Sequence, residues 1–356
     1  MPRPLHAVIH THALQSNLAR VRLAAGDARV WAVVKANAYG HGVARVFDGL
    51  RAADGFAVLD LTEAQILRDM GWRGPILLME GAFEQRDLEL CSRLDLWHVV
   101  HTEAQIDMLS RHKTQVPQRV FLKMNSGMNR LGFAPEAVAD VYARLQEHPG
   151  VGKVTLMSHF ADADGARGVD WQLQTFERAV AGIAAPRTLA NSAATLRYPA
   201  THFDWIRPGI MLYGSSPFAE QSAVSLGLQP VMTLASQIIS TCTLKPGDTV
   251  GYGGLFRAEK NMRIGIVACG YADGYPRHAP NGTPVLVGDR LARTVGRVSM
   301  DMLCVDITDR PEAGLGTRVV LWGEGNPIDD VAQAAGTVSY ELLCALTARL
   351  PVIEQD

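Results

Sequence analysis

Two patterns in the sequence predict a (β/α)8 barrel of the TIM type followed by a mainly β domain. Up to about residue 225, eight short apolar runs alternate with amphipathic helical segments, as in barrels built from parallel strands. Beyond residue 226, short strands are separated by Gly, Pro and Asp, which is typical of antiparallel sheets. We expect a barrel domain at 1–225 and a β domain at 226–356, although residues 1–10 could pair with the β domain.

The expected barrel strands are 30–35, 56–60, 75–80, 97–101, 120–124, 154–159, 187–191 and 205–212. Helices are expected at 62–70, 103–111, 135–147 and 172–184, and Asp60 with Glu63 forms a capping-box pattern. An open doubly wound sheet is the alternative. Eight repeats and the lack of GxGxxG after the first strand favour the barrel.

The expected strands of the β domain are 231–238, 263–269, 284–287, 293–298, 302–307 and 318–322, with helices at 329–335 and 340–349. At the other end of the chain, residues 7–10 read as a strand, and Thr11 begins a helix.

Composition excludes several functional classes. The 356 residues carry a net charge of −2 and no basic stripe, which argues against a nucleic-acid partner. No apolar run approaches the roughly 20 residues of a membrane span, and residues 1–6 lack the apolar core of a signal peptide. The five cysteines are far apart without CxxC, so neither a disulfide framework nor a zinc knuckle is expected. A reducing cytoplasm is the simplest compartment.

Polar residues follow the predicted strands at a regular phase. Those at or just after the carboxyl ends of strands are Lys35, Lys123, Arg130, His159, Ser192 and Arg207. In a barrel these ends meet at one mouth, where catalytic residues lie. We therefore expect these side chains to converge.

The run VVKANAYGHG at 33–42 places one lysine after an apolar strand and before a glycine-rich turn. Partial burial lowers the pKa of an amine and suits Lys35 to Schiff-base chemistry. Tyr39 could donate a hydroxyl to a phosphate. Alternatively, Lys35 reaches solvent and Tyr39 is a packing residue.

Two further segments suit an anion. Ser192 lies at a helix start, where hydroxyl and backbone N–H groups bind phosphate, or where a serine serves as a plain N-cap. In Arg207-Pro208-Gly209-Ile210, Gly209 permits close approach, so the N–H groups of Gly209 and Ile210 could face a phosphate. A surface arginine before a turn is the alternative.

The run at 33–42 resembles the cofactor-lysine motif of alanine racemases, which use pyridoxal 5′-phosphate (PLP). Seven separated motifs match in family order between about Ala7 and Leu350, including KMNSGMNRLG at 123–132, RPGI at 207–210, VGYGG at 250–254, GYADGYPR at 270–277 and GRVSMD at 296–301. The resemblance implies an isomerase that interconverts L- and D-alanine, for peptidoglycan synthesis or for alanine catabolism.

The resemblance also implies a two-base mechanism on PLP held by Lys35 as an imine. Lys35 would exchange the proton of D-alanine and Tyr252 that of L-alanine, on opposite faces of the α-carbon. Tyr252 would enter the site of a partner subunit, so the resemblance implies a homodimer with shared active sites.

Other positions are assigned by the same resemblance. Arg207 would face the pyridine nitrogen and leave it unprotonated, because arginine only donates hydrogen bonds. Arg130 would approach the cofactor and the substrate carboxylate. His159 would be a hydrogen-bonding partner that tunes the active-site arginine and a tyrosine, or else a structural histidine with satisfied hydrogen bonds. The cofactor contacts implied are Lys35, Tyr39, Arg130, His159, Ser192, Arg207, Gly209, Ile210 and Tyr340.

Lys123 matches a lysine that some members carry as a carbamate. A carbamate could pair with Arg130, whereas an unmodified Lys123 would reach towards solvent. Asn125 replaces a common aspartate, and Thr188 replaces a histidine of some members.

From the partner subunit, Met300 and Asp301 would line the substrate pocket, while Tyr271, Arg277 and Arg297 would line an access corridor. His159 and Asp164 have a spacing compatible with a metal ligand pair, but no second His/Cys cluster accompanies them, and no metal is expected.

Two other functions use related designs. An amino-acid decarboxylase of the same layout would place an acidic residue at the pyridine nitrogen, which Arg207 argues against. A PLP carrier built on a barrel alone would not need the β domain.

Overall fold

The computed structural model describes residues 3–114 and 116–355, and the chain divides into two compact units. One unit comprises Gln15–Ala38 and Gly42–Leu212. The other comprises the chain up to Leu14, the short segment Tyr39–His41 and the chain from Tyr213 onward.

The chain starts with strand β1 (His6–His10) and helix α1 (Thr11–Ala25). The barrel strands follow as β2 (Arg29–Val33), β3 (Gly55–Val58), β4 (Ile76–Leu78), β5 (Leu96–Val100), β6 (Gln118–Lys123), β7 (Val151–Met157), β8 (Arg187–Thr188) and β9 (Trp205–Ile206). All neighbouring pairs are parallel, and β9 closes on β2. The predicted (β/α)8 barrel is confirmed.

The helices that connect these strands are α2 (Val43–Leu50), α3 (Leu61–Asp69), α4 (Gln85–Arg93), α5 (Glu103–Arg111), α6 (Val138–Glu147), α7 (Asp170–Ala179) and α8 (Ser192–Arg197). At the start of α3, Asp60 Oδ1 accepts from the N–H of Thr62 (2.6 Å), and Glu63 accepts from the N–H of Asp60 (3.3 Å). The predicted capping box is confirmed.

Aromatic side chains from four strands pack together within the barrel unit. Trp31 stacks on Trp205 with ring centroids 4.3 Å apart, and Trp97 and Phe121 approach Trp31 edge-on. A Cβ at position 55 would overlap the Trp31 ring, so glycine is required there. Rings of this size fill the interior, which makes the barrel a packed core rather than a channel.

The predicted strands run too far at their carboxyl ends. Strand β2 ends at Val33 rather than at 35, and β9 ends at Ile206, with a 3-10 turn at Ile210–Tyr213 in place of the predicted strand. Pro208 has no N–H to continue a ladder. The apolar residues after these strand ends are buried although they lie in turns. Burial alone therefore does not distinguish a turn from a strand.

The second unit contains the remaining strands, β10 (Met232–Leu244), β11 (Thr249–Val250), β12 (Phe256–Arg257), β13 (Met262–Val267), β14 (Pro284–Val287), β15 (Arg290–Val295), β16 (Leu303–Asp306), β17 (Arg318–Trp322) and β18 (Val352–Gln355), with helices α9 (Ile328–Ala335) and α10 (Ser339–Cys344). Its main sheet has the order β13-β16-β15-β14-β17-β10-β1-β18, and β13 also pairs with β10. The predicted mainly β C-terminal domain is confirmed.

Strand β1 belongs to this sheet, antiparallel to β10 and parallel to β18. The prediction of a helix at 340–349 was wrong beyond Cys344. Thr347 Oγ1 donates to the carbonyl of Ala272 (2.9 Å), and Arg349 bonds Asp273, so these contacts draw the chain away from a helical path. None of the helices in the described part of the chain is both long and apolar enough to cross a membrane.

Candidate active site

The predicted cofactor lysine opens a left-handed turn. Lys35 is half-buried two residues after β2, and Ala36, Asn37, Ala38 and Tyr39 have φ of 54°, 53°, 54° and 51°. Non-glycine residues in this region cost roughly 1–2 kcal/mol each, so the four together cost about 4–8 kcal/mol. Such strain persists only where surrounding structure holds it, and it is concentrated at functional sites.

Asn37 stabilises the turn from within. Its side-chain Oδ1 accepts from the N–H of Val43 (3.1 Å), and its carbonyl accepts from the N–H of Gly42 (2.8 Å). Both bonds tie the turn to the start of α2. The turn that follows Lys35 is therefore held in a fixed position relative to α2.

Arg207 is a buried cation surrounded by neutral acceptors. It donates to Thr188 Oγ1 (2.6 Å), to the carbonyls of Ser158 (2.7 Å) and Leu189 (3.1 Å), and to Nδ1 of His159 (3.3 Å). No carboxylate within the described residues pairs with it. Burial lowers the pKa of Arg207 to about 9, which still leaves it charged near neutral pH.

Four basic groups lie close enough at the barrel mouth to repel one another. Burial, then Arg207 and Arg130, lowers the pKa of Lys123 to about 8, and Glu80 opposes that shift. Burial and the charges of Arg207, Arg130, Lys123 and Lys35 hold the pKa of His159 well below its usual value. His159 is thus a neutral ring, and the mouth carries an excess of positive charge that suits an anionic ligand.

Lys123, Arg130 and His159 line one small cavity. The loop that carries the exposed Arg130 is shaped by Asn125, whose Oδ1 accepts from the N–H groups of Gly127 (3.0 Å) and Asn129 (2.9 Å). Its amide also donates to Asn129 (2.9 Å), a bond that an aspartate could not donate.

Ser192 is the first residue of α8, and Asn191 is the N-cap, accepting from the N–H of Ala194 (3.0 Å). The alternative that Ser192 is a plain N-cap was therefore wrong. Ser192 Oγ accepts from the N–H of Gly209 (2.9 Å), so the two segments predicted to bind an anion lie together, next to the buried Ile210. The N–H of Gly209 points at Ser192.

In the second unit, Tyr39 belongs to a tyrosine cluster. Its ring lies 4.8 Å from that of Tyr213 and 5.9 Å from that of the partly exposed Tyr340. Burial raises the pKa of the Tyr39 phenol far above its usual value, and the charge of Tyr340 adds to this. Tyr39 therefore remains a hydroxyl donor. A Cβ at Gly40 would overlap the Leu343 carbonyl, so only glycine fits beside Tyr39.

Tyr252 is 67% exposed in a short turn, Tyr252–Gly254. The preceding Gly251 has φ of 71°, and a Cβ there would lie 3.3 Å from the backbone nitrogen of Arg297. The structure thus brings the motif of the predicted second base next to one of the predicted corridor arginines. The two motifs are distant in sequence.

The other two β-domain motifs are also adjacent. The N–H groups of Tyr271 and Ala272 donate to the carbonyls of Ser299 and Met300 (both 3.0 Å). Arg277 lies 5.9 Å from the Tyr271 ring centroid. Tyr271 and Arg277 are thereby placed beside the predicted substrate-pocket residue Met300, which is 52% exposed.

Sequence reasoning did not find the ion-pair network behind Asp301. Arg349 donates to Asp301 Oδ1 (2.7 Å) and to the buried Asp273 (2.7 Å), and Arg3 pairs with Asp273 from the other end of the chain (2.6 Å). The only signal was a carboxylate inside the GYADGYPR motif. Glu80 at the barrel mouth was likewise missed, and Glu63 was assigned only to a helix cap.

Comparison with protein families matches the alanine racemase N-terminal domain to residues 9–217 and the alanine racemase C-terminal domain to residues 231–354. The chain belongs to the alanine racemase family. An alanine racemase of Variovorax paradoxus is 61% identical over 364 aligned residues that cover 100% of each chain. One of Methylibium petroleiphilum is 62% identical over 361 residues, covering 99% of this chain and 98% of the relative.

Solved alanine racemases have the same architecture. The biosynthetic enzyme of Pseudomonas aeruginosa superposes with a TM-score of 0.97 at 48% identity, and that of Acinetobacter baumannii with 0.95 at 39%. Each comparison covers 99% of this chain and 100% of the other. The predicted family, and with it the predicted class of racemase enzyme, is confirmed.

Proposed function

We propose that this protein interconverts L- and D-alanine with PLP as its cofactor. The observation that carries the proposal is the similarity of the whole chain to alanine racemases, in both domains. The cluster of Lys35, Arg207 and the anion-binding segments at the barrel mouth supports it.

The residues fit PLP by charge and by donor type. The phosphate is an anion, and the positive charges of Arg207, Arg130, Lys123 and Lys35 all act at His159, so the mouth is rich in positive charge. Lys35 would bond the cofactor. The Oγ of Ser192 accepts from the N–H of Gly209, and its O–H would donate to the phosphate. The hydroxyls of Tyr39 and Tyr340 and the backbone N–H of Ile210 would be further donors. Arg207, held by neutral acceptors, would face the pyridine nitrogen.

Bound PLP supplies an electron sink that acidifies the α-proton of an amino acid. The chain supplies the rest. Arg130 would bind the substrate carboxylate. Arg207 can only donate hydrogen bonds, so it would leave the ring nitrogen unprotonated and the electron sink moderate. This restraint favours return of the proton over elimination or transamination.

Inversion requires a proton to leave one face of the α-carbon and to return on the other. Lys35 Nζ would carry the proton of D-alanine, and Oη of the partner subunit's Tyr252 that of L-alanine. The partner subunit's Met300 and Asp301 would line the substrate pocket, and Met300 would limit the size of the substrate side chain. Tyr271, Arg277 and Arg297 would line the access corridor.

The homodimer is part of the proposal. Tyr252, Leu255 and Met300 are 67%, 60% and 52% exposed in the β unit, so these side chains are accessible to a partner subunit. An isologous dimer would bury them and bring each Tyr252 to the other subunit's lysine.

A subunit-mixing experiment tests the shared site. Lys35→Ala and Tyr252→Phe dimers are each expected to have lost L-to-D racemisation. After denaturation and co-refolding of equal amounts, mixed dimers contain one intact site, and random pairing restores about one quarter of the wild-type activity. Each variant refolded alone is the control. No restored activity in proven mixed dimers would show that both bases belong to one chain.

Lys123 is proposed as a carbamate. Its neutral amine would attack carbon dioxide, form an N–C bond and release a proton to solvent. The lysine would then be an anionic partner of Arg130 instead of a cation that repels it.

In the cell, we place the protein in the cytoplasm, where its product serves peptidoglycan synthesis or its activity serves alanine catabolism. Growth of a deletion strain with and without D-alanine separates these roles.

A further inference from the structure

We propose that Glu63 is a positioning residue that holds the left-handed turn of Lys35 and so places the Lys35 amine for proton transfer. This inference rests on the proposed function for its catalytic consequence, but its structural basis is independent of that function. Nothing in the motif around Lys35 points to Glu63, which lies in the following β/α unit.

Both carboxylate oxygens of Glu63 are engaged. Oε1 accepts from the N–H of Asn37 (2.8 Å), in the centre of the left-handed turn. Oε2 accepts from the N–H groups of Leu59 (3.1 Å) and Asp60 (3.3 Å), at the start of α3. The residue is only 9% exposed, so water competes weakly for these bonds.

This arrangement fits the strain in the turn. Four consecutive non-glycine residues keep φ near +50°, and each would relax towards the right-handed or extended region if released. The bond to Asn37 needs this backbone, because it is the left-handed path that directs the Asn37 N–H at Glu63. A charged acceptor forms stronger hydrogen bonds than a neutral one, which makes a carboxylate suitable for the task.

Glutamine cannot replace the carboxylate. Its amide has one acceptor oxygen and one NH2 donor. Whichever way the amide is oriented, its NH2 group faces a backbone N–H, either that of Asn37 or those at the start of α3. Glu63→Gln should therefore release the turn or the helix start, with little change in side-chain volume.

The chain offers a matched control for the helix-capping part of this role. Asp87 Oδ2 accepts from the N–H groups of Phe83 and Glu84 (both 2.9 Å) at the start of α4. It thus caps a barrel helix as Glu63 does, without a hydrogen bond to the lysine turn. Asp87→Asn removes only the charge of a cap, because its single amide oxygen can still accept from both N–H groups. Glu63→Gln must instead give up either the bond to the turn or the cap.

The experiment compares Glu63→Gln, Glu63→Asp and Asp87→Asn with the wild type. Hydrogen–deuterium exchange of peptides covering residues 34–42 is measured in the PLP-loaded protein, together with kcat and KM for both alanine enantiomers. Since a misplacement of about 1 Å costs on the order of 100-fold in rate, we expect Glu63→Gln to lower kcat at least about tenfold with little change in KM. Exchange at 34–42 should rise in the same variant.

Asp87→Asn should change neither quantity, and Glu63→Asp, which keeps the charge but shortens the reach, should fall between wild type and Glu63→Gln. If Glu63→Gln does not fold, Glu63→Asp alone decides. Unchanged exchange at 34–42, or a kcat no lower than that of Asp87→Asn, would overturn the proposal. If the wild type does not racemise alanine, the proposed function fails, while the exchange data still decide the role of Glu63.

Discussion

Replacing Thr188 by valine is the sharpest test of the environment of Arg207. The threonine is fully buried in β8, and its Oγ1 accepts from Arg207 at 2.6 Å. Valine has nearly the same shape, so no cavity forms, but a buried cation loses one acceptor. Hydrogen bonds to charged groups contribute about 1.5–3 kcal/mol. We expect the free energy of unfolding to fall by about 1.5–3 kcal/mol.

Thr195→Val provides the comparison. Thr195 is also buried, and its Oγ1 donates to the carbonyl of Asn191 (2.7 Å). That carbonyl also accepts from the N–H of Thr195 (2.9 Å), so it keeps one hydrogen bond when the hydroxyl is removed. Loss of this neutral bond should cost about 0.5–1.5 kcal/mol. Urea unfolding, followed by tryptophan fluorescence and circular dichroism, gives both values when the slopes agree. If Thr188→Val costs no more than Thr195→Val, the guanidinium does not depend on this acceptor and the reasoning is refuted.

Three further predictions concern protons, reactivity and backbone strain. Unfolded histidine gains a proton below about pH 6.5, whereas the folded state holds the pKa of His159 well below that value, so stability present above pH 6.5 should be lost as the pH falls. One such histidine accounts for at most about 2 kcal/mol between pH 7 and 5, and urea midpoints of His159→Gln should fall less steeply over this range than those of the wild type. Lys123, with a pKa of about 8, should react with labelled carbon dioxide at lower pH than the exposed lysines. Carbon NMR should then show a carbamate signal that Lys123→Ala lacks. An identical signal in that variant would contradict the assignment. Gly40→Ala should destabilise the protein by more than about 1 kcal/mol and weaken PLP binding, because φ is +78° and the new Cβ would meet the Leu343 carbonyl; urea unfolding and PLP titration measure both, and a variant as stable as the wild type would show that the turn can move.

Much of the architecture follows from local sequence, because apolar β-branched runs and amphipathic helices report burial directly. The eight barrel strands and most of the β-domain strands were predicted within a few residues. Their ends were not, since Val34 and Ile210 are buried but lie beyond the ends of their strands. Burial is shared by strand ends and by the turns that follow them, so an apolar pattern cannot separate the two.

The candidate site was predicted unevenly for a similar reason. The residues of the barrel mouth follow from the position of each strand end, and Lys123, Arg130 and His159 do line one cavity. The left-handed turn of Lys35 could not be predicted, because Ala and Tyr rarely adopt positive φ, although Asn tolerates it. Its stabilising partner, Glu63, is distant in sequence and meets the turn only in the folded structure. The Asp273 network likewise joins residues near both ends of the chain.

The position of β1 between β10 and β18 has a consequence for synthesis of the chain. Ala7, Val8 and Ile9 leave the ribosome roughly 220 residues ahead of β10, and at typical translation rates of 5–20 residues per second they wait roughly ten to forty seconds for a partner strand. During that time the barrel can form, while an apolar segment without its neighbours is available to chaperones. Folding of the β unit therefore waits until β10 and β18 have been synthesised.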